Sequence, residues 1–120
     1  MIEKINGETK IYGIVGFPVK HTFSPIMHNA AFDNLEMNAT YIPFPVKPGQ
    51  IAQAVNGIKA LGISGINVTI PHKSDIIPYL DEITPLAKMI GAVNTIKNCE
   101  GRLIGTNTDV SGFVKSLNSL

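Results

Sequence analysis

Apolar residues run nearly unbroken through Ile11, Tyr12, Ile14 and Val15, which predicts a first strand over Lys10–Gly16. A strand apolar on both faces suits the interior of a parallel sheet. Gly16-Phe17-Pro18 ends it. A helix opens at Ser24-Pro25, where serine suits the N-cap and proline the first helical position. Ile26, Met27, Ala30, Ala31 and Leu35, with Asn34 among them, make a mostly apolar stripe to about residue 37. A second strand is predicted over Ala39–Phe44, closed by Pro45. A second helix starts at Pro48-Gly49, carries Ile51, Ala54, Val55, Ile58 and Leu61 on one face, and stops at Gly62.

A third strand is expected over Ile63–Ile70. Apolar Ile66, Val68 and Ile70 alternate there with polar Asn67 and Thr69, and Pro71 removes a ladder donor. Lys73 follows shortly after. In open α/β sheets ligands sit at this end of the strands; a solvated edge strand is the competing reading. Ser74–Leu80 predicts a short helix interrupted by Pro78, and Thr84-Pro85 caps another over Leu86–Ile90, stopped by Gly91. Ala92–Lys97 and Arg102–Thr106 flank Gly101 as a hairpin, giving one antiparallel strand in an otherwise parallel sheet. Asn107-Thr108-Asp109 leads into an amphipathic helix with Val110, Phe113, Val114 and Leu117. Strands alternating with helices predict parallel α/β units with right-handed crossovers.

The length of 120 residues suits one domain, residues 1–120, and 44% hydrophobic residues supply a core. A net charge of +1 without basic runs gives no support for a nucleic-acid partner. The lone Cys99 cannot form an internal disulfide, which fits a reducing, cytoplasmic setting. The N-terminal residues lack the apolar stretch of a signal peptide, and no apolar run approaches membrane-spanning length. His21, His28 and His72 lack metal-ligand spacing, so no metal is expected. His28 reads as a helix-surface or partly buried residue; His72 has a place in lining the site beside Lys73 but no proton-transfer role. The dinucleotide fingerprint Gly-x-Gly-x-x-Gly is absent.

Thr22 and Ser24 place hydroxyls beside a helix N-terminus, a natural anion site, with a cap alone as the competing reading of Ser24. Asn94, in Gly91-Ala92-Val93-Asn94-Thr95, lies in a predicted strand where asparagine is disfavoured and needs partners. Together with Asn67 and Thr69 it outlines a polar cup; a satisfied turn residue is the plainer role. Asp109 reads either as a helix cap or as a carboxylate paired with Lys73, a pair suited to moving a proton at a hydroxyl or carbonyl oxygen.

His21-Thr22-Phe23-Ser24-Pro25, Asn67-Val68-Thr69-Ile70-Pro71-His72-Lys73, Gly91-Ala92-Val93-Asn94-Thr95 and Gly105-Thr106-Asn107-Thr108-Asp109 resemble, in order and at compatible spacing, the N-terminal substrate-binding domain of shikimate dehydrogenase. The resemblance implies a three-layer α/β/α fold with a mixed, mostly parallel sheet. It implies reversible NADP-dependent reduction of 3-dehydroshikimate to shikimate, on the route to aromatic amino acids. By this likeness Lys73 and Asp109 are the catalytic pair, Thr22 and Ser24 bind the substrate carboxylate, and Asn67, Thr69, Asn94 and Asp109 hold the ring hydroxyls. Lys73 also belongs to the substrate site.

Two departures matter. The family usually has serine at the position of Thr22, which keeps the hydroxyl but bears on discrimination between shikimate and quinate. The family also continues into a Rossmann domain that binds NADP and supplies a later glutamine, whereas this sequence stops at Leu120. The expectation is a truncated piece or a split subunit with no cofactor of its own and negligible activity alone. The alternatives are a quinate/shikimate dehydrogenase domain, or a module that binds a ring acid without chemistry.

Overall fold

The computed structural model describes residues 5–109. Its strands are β1 (Lys10–Gly16), β2 (Ala39–Pro45), β3 (Gly65–Val68), β4 (Glu82–Ile83), β5 (Thr95–Cys99) and β6 (Arg102–Thr106). The helices are α1 (Ser24–Asn34), α2 (Ile51–Leu61) and α3 (Pro85–Ile90). The strands form one sheet in the order β2-β1-β3-β5-β6-β4. β1 pairs in parallel with both β2 and β3, and only β5 runs against its neighbours. This is the mixed, mostly parallel α/β fold expected.

Because the chain steps outward from β1 to β2 and then back across to β3, right-handed crossovers put α1 and α2 on opposite faces. On the α2 face, Ile51, Val55 and Ile58 pack with Val15, Ile66, Val68, Ile96 and Leu103 in one buried cluster, which Ala87 of α3 joins. Gly62 closes α2 and Gly91 closes α3 in the left-handed region, as their positions predicted. Glu100 and Gly101 both have positive φ, so the β5–β6 hairpin turns tightly and keeps the right-handed twist.

Several elements differ from expectation. Ser24 is the first residue of α1, not its cap; Phe23 holds that place and gives no side-chain cap bond. The stripe of α1 is also different. Ile26 and Met27 stay exposed, and the helix turns His28, Asn29 and Phe32 toward the sheet. Phe32 packs on Tyr12, and the Asn29 side-chain amide exchanges hydrogen bonds with both the N–H and the C=O of Tyr41. Specific polar and aromatic contacts therefore seat α1 where an apolar face was expected. Ser74–Leu80 is a series of turns ending in a single 3-10 turn at Ile77–Tyr79, since Pro78 prevents a longer helix. β3 is shorter than Ile63–Ile70, and it is central, which removes the edge-strand reading. β5 begins at Thr95, so Asn94 sits just before the strand. β4 escaped the sequence pattern because two residues give no period to read. The predicted last helix lies outside the described residues.

Candidate active site

The C-terminal ends of β1, β3 and β6 and the start of β5 meet at one end of the sheet. Every candidate residue belongs to a segment at or beside that end. Thr69 continues β3, with its N–H bonded to Val15 and its carbonyl accepting from His72. Its methyl leans over Gly16, where an added Cβ would lie 2.3 Å from Thr69 Cγ2. The absence of a side chain at Gly16 is what lets Thr69 close onto β1.

Lys73 is held by its backbone. Its carbonyl accepts from the Val93 N–H at 2.8 Å, and the next residue, Ser74, donates from Oγ to the Gly91 carbonyl at 2.9 Å. His72 does not line the site. It is buried, and its Nε2 faces the Val46 carbonyl, so that nitrogen carries the proton and the ring serves as an internal strut. The histidine was misplaced because a polar residue between site residues reads as part of the site; only the three-dimensional structure brings Val46 against it.

Lys73 Nζ lies 3.3 Å from Asp109 Oδ2. The two side chains come from segments 36 residues apart, and the fold brings them together. Both are partly open to solvent, Asp109 more so. Asp109 starts beyond β6, where the Asn107 side chain accepts from its N–H and donates to the Ala92 carbonyl. Asn107 is buried and was missed; its signal was the Asn-x-Asp spacing of an Asx turn.

Asn94 is also buried, and its side chain links two segments. Its Oδ1 accepts from the Thr108 N–H and from Thr95 Oγ1, each at 3.0 Å, and its Nδ2 donates to Thr108 Oγ1 at 3.0 Å. Asn67 Nδ2 reaches Thr95 Oγ1 at 3.3 Å, and Asn67 Oδ1 accepts from the Tyr41 phenol at 2.7 Å. Asn67 and Asn94 thus belong to one hydrogen-bonded array, and no buried side-chain polar atom among the described residues lacks a partner. Tyr41 was not singled out in the sequence, because a tyrosine in an apolar strand carries no sign of its partner.

Thr22 and Ser24 sit where the chain enters α1, and Thr22 Oγ1 accepts from the Ser24 N–H at 3.3 Å. Both are partly exposed. The Tyr41 phenol, pushed up to about 12 by burial, is pulled back by the adjacent Ser24 side chain.

Residues 14–96 match the family model described as the shikimate dehydrogenase substrate binding domain. The chain belongs to this family. It is 56% identical over 114 residues to the shikimate dehydrogenase (NADP(+)) of Desulforamulus reducens, an alignment that covers 95% of this chain and 39% of that protein. A crystal structure of a shikimate dehydrogenase in complex with NADP+ superposes with a TM-score of 0.91 at 53% identity, covering 96% of this chain and 40% of the other. The shikimate 5-dehydrogenase of Listeria monocytogenes, crystallised with shikimate and NAD, superposes at TM-score 0.91 and 38% identity, again covering 96% of this chain and 40% of the other. The chain spans about two fifths of the length of the relatives it matches.

The β1–α1 connection is not the Gly-rich phosphate-binding turn of a dinucleotide fold. The β1–α1 connection from Phe17 to Phe23 contains no glycine, so it lacks the turn that lets backbone N–H groups approach a pyrophosphate. Among the described residues no group of acidic, histidine and cysteine side chains could hold a metal ion. No helix among them is long and apolar enough to cross a membrane.

Proposed function

We propose that this chain is the substrate-binding and proton-transferring part of a shikimate dehydrogenase, whose whole activity is NADP-dependent, reversible reduction of 3-dehydroshikimate to shikimate. The observation that carries the reading is the Lys73–Asp109 pair, 3.3 Å apart beside the polar array of Asn67 and Asn94. A polyhydroxylated ring acid asks for an anion site, several hydrogen-bonding groups and one group that handles a proton. Thr22 and Ser24, at the start of α1, bind the carboxylate by their hydroxyls, on the side where the helix dipole favours negative charge. Asn67, Thr69, Asn94 and Asp109 hold the ring hydroxyls. Reducing a ring ketone places a proton on its oxygen, and oxidation takes that proton away. Lys73 Nζ has protons to give and Asp109 keeps it oriented, so the pair supplies and recovers that proton.

The dinucleotide is bound elsewhere, by sequence beyond this chain, and the chain alone does not turn over. The test is kinetic, with the cofactor-binding part of the enzyme supplied. Lys73→Ala is expected to lower kcat by about 100-fold or more, the scale of a lost general acid–base, with a much smaller change in substrate affinity. Equal losses in both would demote Lys73 to a binding residue. Robust NADPH oxidation by this chain unaided would refute the division of labour.

A further inference from the structure

The orientation of Asn67 is set by a chain of donors that begins at a backbone group. The Thr108 N–H can only donate, so Asn94 Oδ1 is the atom that faces it at 3.0 Å. Thr95 Oγ1 donates to the same oxygen and therefore accepts on its other side, from Asn67 Nδ2 at 3.3 Å. Asn67 Oδ1 is then the end turned toward β2, where it needs a donor. The Tyr41 hydroxyl provides it at 2.7 Å, the shortest link in this series. The tyrosine itself is fixed from other directions. It is buried, its ring stacks on His28 with centroids 4.3 Å apart and planes 13° from parallel, and Asn29 binds both of its backbone polar groups.

We propose that Tyr41 is a positioning residue for the ring-hydroxyl site: its phenol locks the Asn67 amide with Oδ1 toward β2 and Nδ2 toward Thr95. Tyr41 does not touch the substrate in this account. It acts through Asn67, which then offers a ligand hydroxyl one defined amide edge rather than two interchangeable ones. The array also joins residues of three strands, from Tyr41 in β2, across β1, to Asn67 in β3 and Thr95 in β5, and so links the α1 side of the site to the Asp109 turn. The inference rests on the reading of this site as a shikimate site.

The experiment compares this chain with its Tyr41→Phe variant by NMR, following the Asn67 side-chain amide and titrating shikimate. Phenylalanine keeps the ring and removes the donor. The expected result is an unchanged backbone spectrum away from the site, displaced and broadened Asn67 amide signals, and shikimate affinity lower by about three- to tenfold, the scale of one intramolecular hydrogen bond. Unchanged Asn67 signals with unchanged affinity would overturn the role of Tyr41 while leaving the site reading standing. A parent chain that shows no shikimate-dependent shifts at millimolar ligand would overturn the site reading, and this inference with it. If the variant does not fold, the parent decides: a slowly exchanging Tyr41 hydroxyl proton with a cross-peak to Asn67 supports the lock, and a rapidly exchanging one refutes it.

Discussion

Gly16 has no side chain to offer a ligand, yet its replacement by alanine should damage both the fold and the site. A Cβ built there would lie 2.3 Å from Thr69 Cγ2, 2.9 Å from Val19 Cγ1 and 3.2 Å from the Ile70 carbonyl oxygen. Carbon atoms in ordinary contact sit about 3.5–4.0 Å apart, so the Thr69 methyl must retreat by more than about 1 Å. It has little freedom to do so by sliding. The Thr69 N–H is bonded to Val15, its carbonyl accepts from His72, and the Ile70 carbonyl accepts from Phe17. The side chain must rotate instead, which displaces its hydroxyl. Overpacking of this kind costs about 1–3 kcal/mol. Urea denaturation should therefore give a lower midpoint at an unchanged m-value, and a shikimate titration should show weakened binding. Thr69→Ser removes the offending methyl and keeps the hydroxyl. The pair Gly16→Ala/Thr69→Ser should recover at least about 0.5 kcal/mol relative to the sum of the single changes. A loss below about 0.5 kcal/mol for Gly16→Ala, or no coupling in the double variant, would refute the reasoning.

Three further outcomes follow from the same structure. His72→Ala should lose on the order of 2–4 kcal/mol in denaturant unfolding, because it empties a buried volume and leaves the Val46 carbonyl without its partner; a loss under about 1 kcal/mol would show that the ring is no strut. Asp81 accepts from the Leu103 N–H and pairs with Lys59, and these hold its carboxyl below its ordinary value of 3.8. Its contribution is present above that value and fades as pH falls through the lower, folded one, so Asp81→Asn should flatten the stability profile below about pH 4 and a parallel profile would count against it. The Tyr41 phenol runs the other way: raised from 10.0 to about 12, it stabilises the folded chain fully below pH 10.0 and ceases to as pH rises through about 12. A spectrophotometric tyrosine titration should lose its latest step in Tyr41→Phe, and retention of that step would assign it to another residue.

Much of the fold was legible because the chain punctuates itself. Gly62 and Gly91 stop their helices where φ must turn positive, and the apolar strands at Lys10–Gly16 and Ala39–Pro45 emerge close to where their patterns place them. The candidate site was read from residues of unlike chemistry in short strand-end motifs, as at Asn67, Thr69 and Lys73, and the structure gathers those segments at one end of the sheet. What the sequence concealed depends on contacts between distant segments. His72 looked like a lining residue because its partner, the Val46 carbonyl, lies 26 positions away. The face of α1 was misjudged because Asn29, His28 and Phe32 make specific contacts with Tyr41 and Tyr12 that hydrophobicity does not register. Tyr41 itself shows why a linear pattern underestimates a polar site. Its strand position is ordinary, and its importance comes from one hydrogen bond to an asparagine on another strand.

The most direct test of the central claim is an amide-shift titration of this chain with shikimate, with quinate as the comparison. Perturbations are expected to cluster at Thr22, Ser24, Asn67, Thr69, Lys73, Asn94 and Asp109 and to saturate together with one affinity. Shifts concentrated elsewhere on the sheet, or none at millimolar shikimate, would contradict it.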